Sequence, residues 1–480
     1  MTTAPAPAEP DISQESDPPI GVWLFFIGLA ALVVAMSQTI LIPVLGVLPA
    51  DLDTSVSNVQ WLLTVTLLVA AVAVPFMGRL GDMFGKRRLL LIAVAALIIG
   101  SVLTAISGNI AVLIVGRGIQ GISAAAVPLG ISLLSTLVPR EKAGTSIALV
   151  SAMLGVGGAL GLPMAAFIAQ YSDFHVLFWI SAAAGLIAFA GIVKFVPDDT
   201  ERAGGKVDYV GAVLLGGALV ALLYPLSQTA AWGWGSVKVI GLLILSLVLF
   251  VVFVFAQTRI AQPLVDLVTL RRRPILLTNI ASLFFGFALF GSLIGTASYV
   301  QAPESTGYGF GSTILVGGLA MLPSGIAMLL LAPVSAKISD RIGAPRALAI
   351  GGIVVAGGWL MRIVMTDSLW QIILGTTIVG AGTGIGYATM PTIINTHTPH
   401  SELAAANGLN ALVRSVGSSL ASALGGSLLA ASTMSLGGYD IPTLDGYREL
   451  FALCAGAAIL AALVALAIPH MPTKDEQKQH

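Results

Sequence analysis

Val239-Ile-Gly-Leu-Leu-Ile-Leu-Ser246-Leu-Val-Leu-Phe-Val-Val-Phe-Val-Phe-Ala256 is a stretch in which only Ser246 carries a polar side chain. A charge-free run of this size fits the roughly 20 residues that an α-helix needs to cross a bilayer. In lipid every backbone N–H and C=O must be paired within the segment, so the run is a helix. Comparable stretches lie to both sides of it. The full set is near 22–48, 59–77, 89–107, 110–134, 143–170, 175–196, 208–227, 237–257, 275–301, 312–334, 346–365, 369–395, 403–431 and 448–468. The chain of 480 residues is 56% apolar and 10% charged, against about 25% charged in a soluble domain. It cannot coat itself with water-compatible side chains. The fold class read from these features is an all-α integral membrane protein with about fourteen transmembrane helices.

The basic residues orient the chain. With the N-terminus inside, 18 of the 23 Lys and Arg fall on the inner side, three on the outer side (Lys238, Arg362 and Arg448) and two, Arg117 and Arg414, within spans. This asymmetry follows the positive-inside rule, and one miscounted helix would destroy it. The reading is therefore multi-pass, in the plasma membrane, with both termini cytoplasmic. Residues 1–19 contain no Lys or Arg and so lack the basic start of a signal peptide. They read as a disordered tail, as do 471–480. The net charge of zero points to no nucleic-acid partner. The single Cys454 excludes an intrachain disulfide and a cysteine metal cluster. With no phosphate loop, metal motif or nucleophile elbow in the sequence, no cofactor or metal is expected and no ATP-driven pump is encoded.

The chain repeats itself. Gly78-Arg-Leu-Gly-Asp82-Met-Phe-Gly85-Lys-Arg87 follows the second stretch, and Ala336-Lys-Ile-Ser-Asp340-Arg-Ile-Gly343 follows the tenth. Both place Asp three residues before Gly in a short turn on the inner side. Two related halves are a common transporter plan, with the substrate site between them near the midplane. The expected organisation is a six-helix bundle at 20–200, an inserted helix pair at 201–258, a linker at 259–274 and a second six-helix bundle at 275–470.

Candidate functional residues are the polar groups at membrane depth. Arg117 heads Arg117-Gly-Ile-Gln120-Gly121 in the fourth stretch. A buried Arg costs at least about 2.5–3.5 kcal/mol on insertion scales, so it faces a cavity or a partner. It either binds substrate or ties backbone carbonyls. Gln120 shares its face. Asn407, Asn410, Arg414 and Ser418 are spaced as one helical stripe, which serves a pathway or interhelical hydrogen bonds. Ser37 and Gln38 in the first stretch, and Asn279 and Tyr299 in the ninth, are further pathway candidates. Gly157 and Gly161 form a G-x-x-x-G that admits a neighbouring helix closely, and Pro163 bends the same helix. This is either tight packing or a hinge. In the turn at 78–88, Gly78, Asp82, Gly85 and Arg87, with Asp340 in the repeat, are candidates for a conformational switch. A carboxylate there suits a helix N-terminus, and the thirteenth helix begins on the same side. Asp82 is therefore expected to latch that side shut.

At these residues the chain resembles the major facilitator superfamily. The 78–88 turn is similar to its G-x-L-x-D-x-x-G-[RK]-[RK] signature, Arg117-x-x-Gln120-Gly121 to its fourth-helix signature, and the glycine-rich fifth helix to that of its antiporter branches. Leu162 stands there between Gly161 and Pro163, where a Gly-Pro pair is usual. The inserted pair, with Asp208-Tyr-Val-Gly211 and Trp232-Gly-Trp234, resembles the fourteen-helix drug:proton antiporter branch. The resemblance implies proton-coupled efflux of small apolar or amphipathic compounds by alternating access. It implies a small-molecule substrate, protons as coupling ion, a monomer and no enzymatic activity. Ser37 stands where that branch usually carries Asp, and no acid lies deep in any span, so the proton carrier is unassigned among Asp51, Asp53, Asp82 and His175. A proton-independent facilitator or importer of the same fold is the alternative, and a non-transporting membrane receptor a remote one.

Overall fold

The computed structural model describes residues 20–44, 48–54, 56–199, 202, 204, 206–260, 263–436 and 439–469; the two expected tails, 1–19 and 471–480, lie outside them. Fourteen long helices dominate: α1 (Ile20–Thr39), α2 (Val56–Phe84), α3 (Lys86–Ala105), α4 (Ile110–Leu137), α5 (Arg140–Tyr171), α6 (His175–Phe195), α7 (Tyr209–Ser227), α8 (Val237–Gln257), α9 (Arg273–Gln301), α10 (Ile314–Ile342), α11 (Ala344–Val364), α12 (Leu369–His397), α13 (Leu403–Ala431) and α14 (Leu444–Leu466). A short antiparallel hairpin of β1 (Thr433–Leu436) and β2 (Tyr439–Pro442) joins α13 to α14. Thirteen of the helices are long and apolar enough to cross a membrane. The fourteenth, α13, is equally long at 29 residues, but its stripe of Asn, Arg and Ser lowers its hydropathy.

Local chemistry sets the helix ends. Asn109, Asp208, Ser236, Thr313 and Thr443 each accept a backbone N–H from the first turn that follows them, which satisfies one of the orphan donors there. Ser368 and Gln371 form a reciprocal capping box. The first helix is shorter than its apolar stretch. It stops at Thr39, followed by a 3-10 turn at Ile42–Val44 and a short helix at Leu48–Asp51. Ser37 Oγ turns back on Val34 O at 2.8 Å, and Pro43 disfavours helical backbone just before it. The two repeated turns are true structural equivalents. Gly85 (φ +109°) and Gly343 (φ +89°) are each the single residue between two helices, at a backbone angle that a side chain resists.

Among the described residues three large apolar cores organise the bundle, with a small fourth of Ala148, Ala152, Ala332 and Ala388 where α5 meets α10 and α12. One draws on Trp23 to Val196 and reaches Ala404. A second draws on Ala281 to Ile468. A third joins Leu215, Leu219 and Leu223 of α7 and Phe253 of α8 to Ala71 of α2 and Leu412 of α13. Thus α7 lies over the seam where α2 meets α13, with Val72 against Gly216. Only 17% of the α8 span is buried, against 72% of α12. Ser246, the one polar residue between Val239 and Ala256 of α8, donates to Ala218 O at 2.8 Å, so α8 hangs on α7 with its apolar faces outward. Asp208 ties the pair's loop ends together, accepting from Gln257 Nε2 at 2.7 Å and Leu264 N at 3.1 Å.

Lipid is as apolar as leucine, so close van der Waals packing does what the hydrophobic effect does in water. Glycines supply the closeness. A Cβ on Gly157 would collide with Leu32 O of α1, and one on Gly161 with Thr39. On the other side of α5, Gly318 of α10 sits against Pro163, Gly325 against Ala159, and Met328 against Gly155. Helix α5 therefore packs tightly on α1 within one half and on α10 across the seam.

Candidate functional site

The most specific assembly lies at the end of the seam bearing the 78–88 turn, the basic face. Asp82, in the last turn of α2, is fully buried. Its carboxylate accepts Ala404 N at 3.1 Å and Ala405 N at 2.9 Å, in the first turn of α13. Glu402 precedes that helix and makes no side-chain cap. Asp82 thus caps α13 from another helix, placing a negative charge at the positive end of its dipole. Gly78 makes this possible: a Cβ there would lie 2.7 Å from Ala404 O. Lys86, also fully buried, holds its ammonium 3.7 Å from both Asp82 Oδ1 and Asp199 Oδ2 and donates to His400 O at 3.4 Å. A cavity of about 330 Å³ lined by Arg79, Asp266, Thr269, Glu402 and Ala405 adjoins this cluster.

The other switch candidates separate. Arg87 bonds within its own half, donating to Val193 O at 2.7 Å and pairing with Asp198 at 3.1 Å. It caps the end of α6 and does not reach the seam. Asp340, counterpart of Asp82 in the repeat, is exposed. The same motif therefore occupies two different environments.

Among the pathway candidates, the structure gathers Ser37, Arg117 and Gln120. The Arg117 guanidinium is 1% exposed and donates to Leu62 O at 3.2 Å, Ser37 O at 2.9 Å and Gln120 Oε1 at 2.7 Å. Gln120 passes the network to Ser101 Oγ at 2.7 Å. Four helices, α1 to α4, are tied by one arginine. The carbonyl-bonding arrangement is the one realised, and Gln38 is half-buried beside it. Asn410 donates to Asn279 Oδ1 at 2.9 Å and Ser282 Oγ at 3.0 Å, joining α13 to α9. Asn407 reaches Asn395 Oδ1 on α12 at 2.6 Å and, across the seam, Ser132 Oγ on α4 at 3.3 Å. Tyr299 stands apart in an aromatic cluster with Tyr308, Tyr447 and Phe451. Arg414 lies over the Tyr387 ring, 4.4 Å from its centroid.

Several participants escape a reading of the sequence. Arg362, counted there with the outer charges, is fully buried on α11. It donates to Thr296 Oγ1 at 2.9 Å, lies 4.2 Å from the Phe451 ring centroid and leaves Nε and Nη2 without acceptors. Its place beside the end of an apolar run disguised it. Lys86 was legible in principle, as a basic residue just across the turn glycine from Asp82 in the 78–88 motif. Asp199 and Ser132 carry no local signal.

Comparison with known proteins agrees with this architecture. A model of the Major Facilitator Superfamily matches residues 27–422 and 283–480. The chain is 29% identical over 417 residues to a tetracenomycin C resistance and export protein of Streptomyces glaucescens, covering 85% of this chain and 76% of that protein. It is 26% identical over 397 residues to multidrug resistance protein 3 of Bacillus subtilis, covering 82% and 76%. Its fold is similar to a crystal structure of the human organic anion transporter MFSD10 (TETRAN), with a TM-score of 0.65 at 15% identity, over 94% of this chain and 100% of that one.

Proposed function

This chain belongs to the Major Facilitator Superfamily, and from that premise we propose that it is a secondary active exporter of small amphipathic compounds, driven by proton counterflow. The observation that carries the mechanism is the contact of the Asp82 carboxylate with the N–H groups of Ala404 and Ala405. It closes one end of the seam with a bond that shifts as a unit, as alternating access requires. Residues 20–200 and 275–470 are then the two rocking bodies, 201–258 the inserted pair and 259–274 its linker. Relatives named for tetracenomycin export and multidrug resistance support efflux as the direction. The basic face is assigned to the cytoplasm of a plasma-membrane protein with both termini inside, on the positive-inside rule. The working unit is a monomer.

A second reading has its own observation. Ser37 spends its hydroxyl on Val34 O, and no carboxylate lies deep in a span. That favours a facilitator that moves substrate without protons. Purified protein in liposomes of known orientation decides. A pH gradient is imposed while a cationic dye, a neutral lipophilic drug and internal pH are followed together. Solute movement matched by proton counterflow supports the antiporter. Movement with no proton response replaces it by the facilitator, and no movement of any solute removes both.

A further inference from the structure

Arg117, Arg362 and Arg414 lie within long helices, and they are not equivalent. Arg117 and Arg362 are buried to 1% and 0% exposure and donate to protein oxygens. Arg414 is half-buried. Among the described residues its guanidinium has the Tyr387 ring as its partner and no hydrogen bond or ion pair. An arginine presents five N–H donors in a fork that fits a carboxylate. Here that fork is uncommitted.

Its position is central. Arg414 is about 17 Å along α13 from the start at Leu403, at 1.5 Å per residue. Seven residues before it, on the same face, Asn407 reaches Ser132 of α4 across the seam and Asn395 of α12. Tyr387 lies eight residues before Asn395 on α12. The Arg414–Tyr387 pair therefore occupies the same seam two turns deeper, beyond the asparagine contact and the Asp82 latch. Gly286 of α9 lets it sit close to the helices behind, since a Cβ there would lie 3.0 Å from Arg414 Cγ. Tyr387 itself is 4% exposed, so the ring is a fixed platform.

The surroundings supply no counter-charge. Within the described spans the acids are Asp82, Glu141, Asp340, Asp445 and Glu449, all within two turns of a helix end. A positive charge at this depth attracts anions and repels cations more strongly than in water, because the medium screens less. We propose that Arg414 and Tyr387 form the recognition point for an anionic group, a carboxylate or ionised phenol, on an aromatic substrate. Arg414 takes the oxygen atoms while the Tyr387 face holds the guanidinium plane in register. This deepens the transport reading and rests on it: the exporter selects amphipathic organic anions over lipophilic cations.

The test uses full-length protein in nanodiscs and three matched probes on one pyrene scaffold: the butyrate, its methyl ester and a trimethylammonium analogue. Affinity is read by fluorescence anisotropy and folding by thermal unfolding of each variant. The wild type is expected to bind the acid at least tenfold tighter than the ester, and the cation weakest. Arg414→Gln abolishes the preference for acid over ester while ester affinity holds. Arg414→Lys keeps part of it, and Tyr387→Leu weakens acid binding. Equal or tighter binding of the cation by the wild type overturns the inference, as does a folded Arg414→Gln protein that keeps the preference. If Arg414→Gln does not fold, the wild-type preference and the Lys variant still decide. Arg414-dependent acid binding with no transport in liposomes removes the transport reading alone; transport without acid preference removes this inference alone.

Discussion

Asp82→Asn isolates the latch. Asparagine keeps one acceptor oxygen, so one of the two N–H contacts at 3.1 and 2.9 Å survives while the charge is lost. A hydrogen bond to a charged group contributes about 1.5–3 kcal/mol. Losing one such bond shifts the ratio of closed to open basic face about 10- to 150-fold toward open, at 1.36 kcal/mol per tenfold. The lost attraction to the helix terminus acts in the same direction, by up to about 2 kcal/mol. Folding should survive, because Lys86 retains Asp199 at 3.7 Å. The assay is a spin-label distance distribution between Phe84→Cys and Ser401→Cys in a Cys454→Ala background. Phe84 is exposed at the end of α2 and Ser401 half-buried just before α13. The long-distance population should grow in Asp82→Asn and transport should slow. Gly78→Ala should act likewise with the charge intact, because its Cβ meets Ala404 O at 2.7 Å. Asp340→Asn, at the exposed repeat, should leave the distribution unchanged. An Asp82→Asn protein that folds, shows the wild-type distribution and transports at the wild-type rate would refute the latch.

Other outcomes follow from the same geometry. Arg117→Gln strips hydrogen bonds to Leu62 O and Ser37 O inside the α1–α4 packing and should lower stability by about 1–3 kcal/mol. It is expected to show as loss of monodisperse protein on size-exclusion chromatography, not as a selective loss of substrate affinity. Gly157→Ala should destabilise the protein by driving a methyl into Leu32 O, whereas Gly158→Ala meets nothing within 4 Å and gains up to about 1 kcal/mol of helix propensity; thermal unfolding of the pair compares them directly. Burial alone would raise the Asp173 carboxyl, but the backbone N–H and ring of His175 outweigh it and hold it below its ordinary value of 3.8. Its contribution to stability is therefore present at neutral pH and lost only as pH falls through that lowered value, so melting temperatures of wild type and Asp173→Asn should converge only in strong acid.

Much of the architecture is legible without coordinates because the bilayer imposes a simple rule. Fourteen stretches without deep acids must become helices, and the lopsided basic residues orient them. The repeat at 78–88 and 336–343 announces two equivalent turns, and both glycines do adopt positive φ. Asp82 could be matched to the start of α13 by charge and side alone. The end of α1 was misread because a span of apolar letters hides the local competition from Ser37 and Pro43.

The sequence by itself determined which segments form the long apolar helices and which few polar residues stay inside them, since those follow from local transfer energies and spacing. Only the tertiary structure decided what each of those residues does. It committed Arg117 to backbone carbonyls and left Arg414 available, turned Arg362 from a surface charge into a buried one, and gave Asp82 and Asp340 opposite surroundings within the same motif. The physical reason is that a side chain's role at membrane depth depends on which donors and acceptors other helices bring within about 3 Å, and those partners lie as far as 323 residues away along the chain.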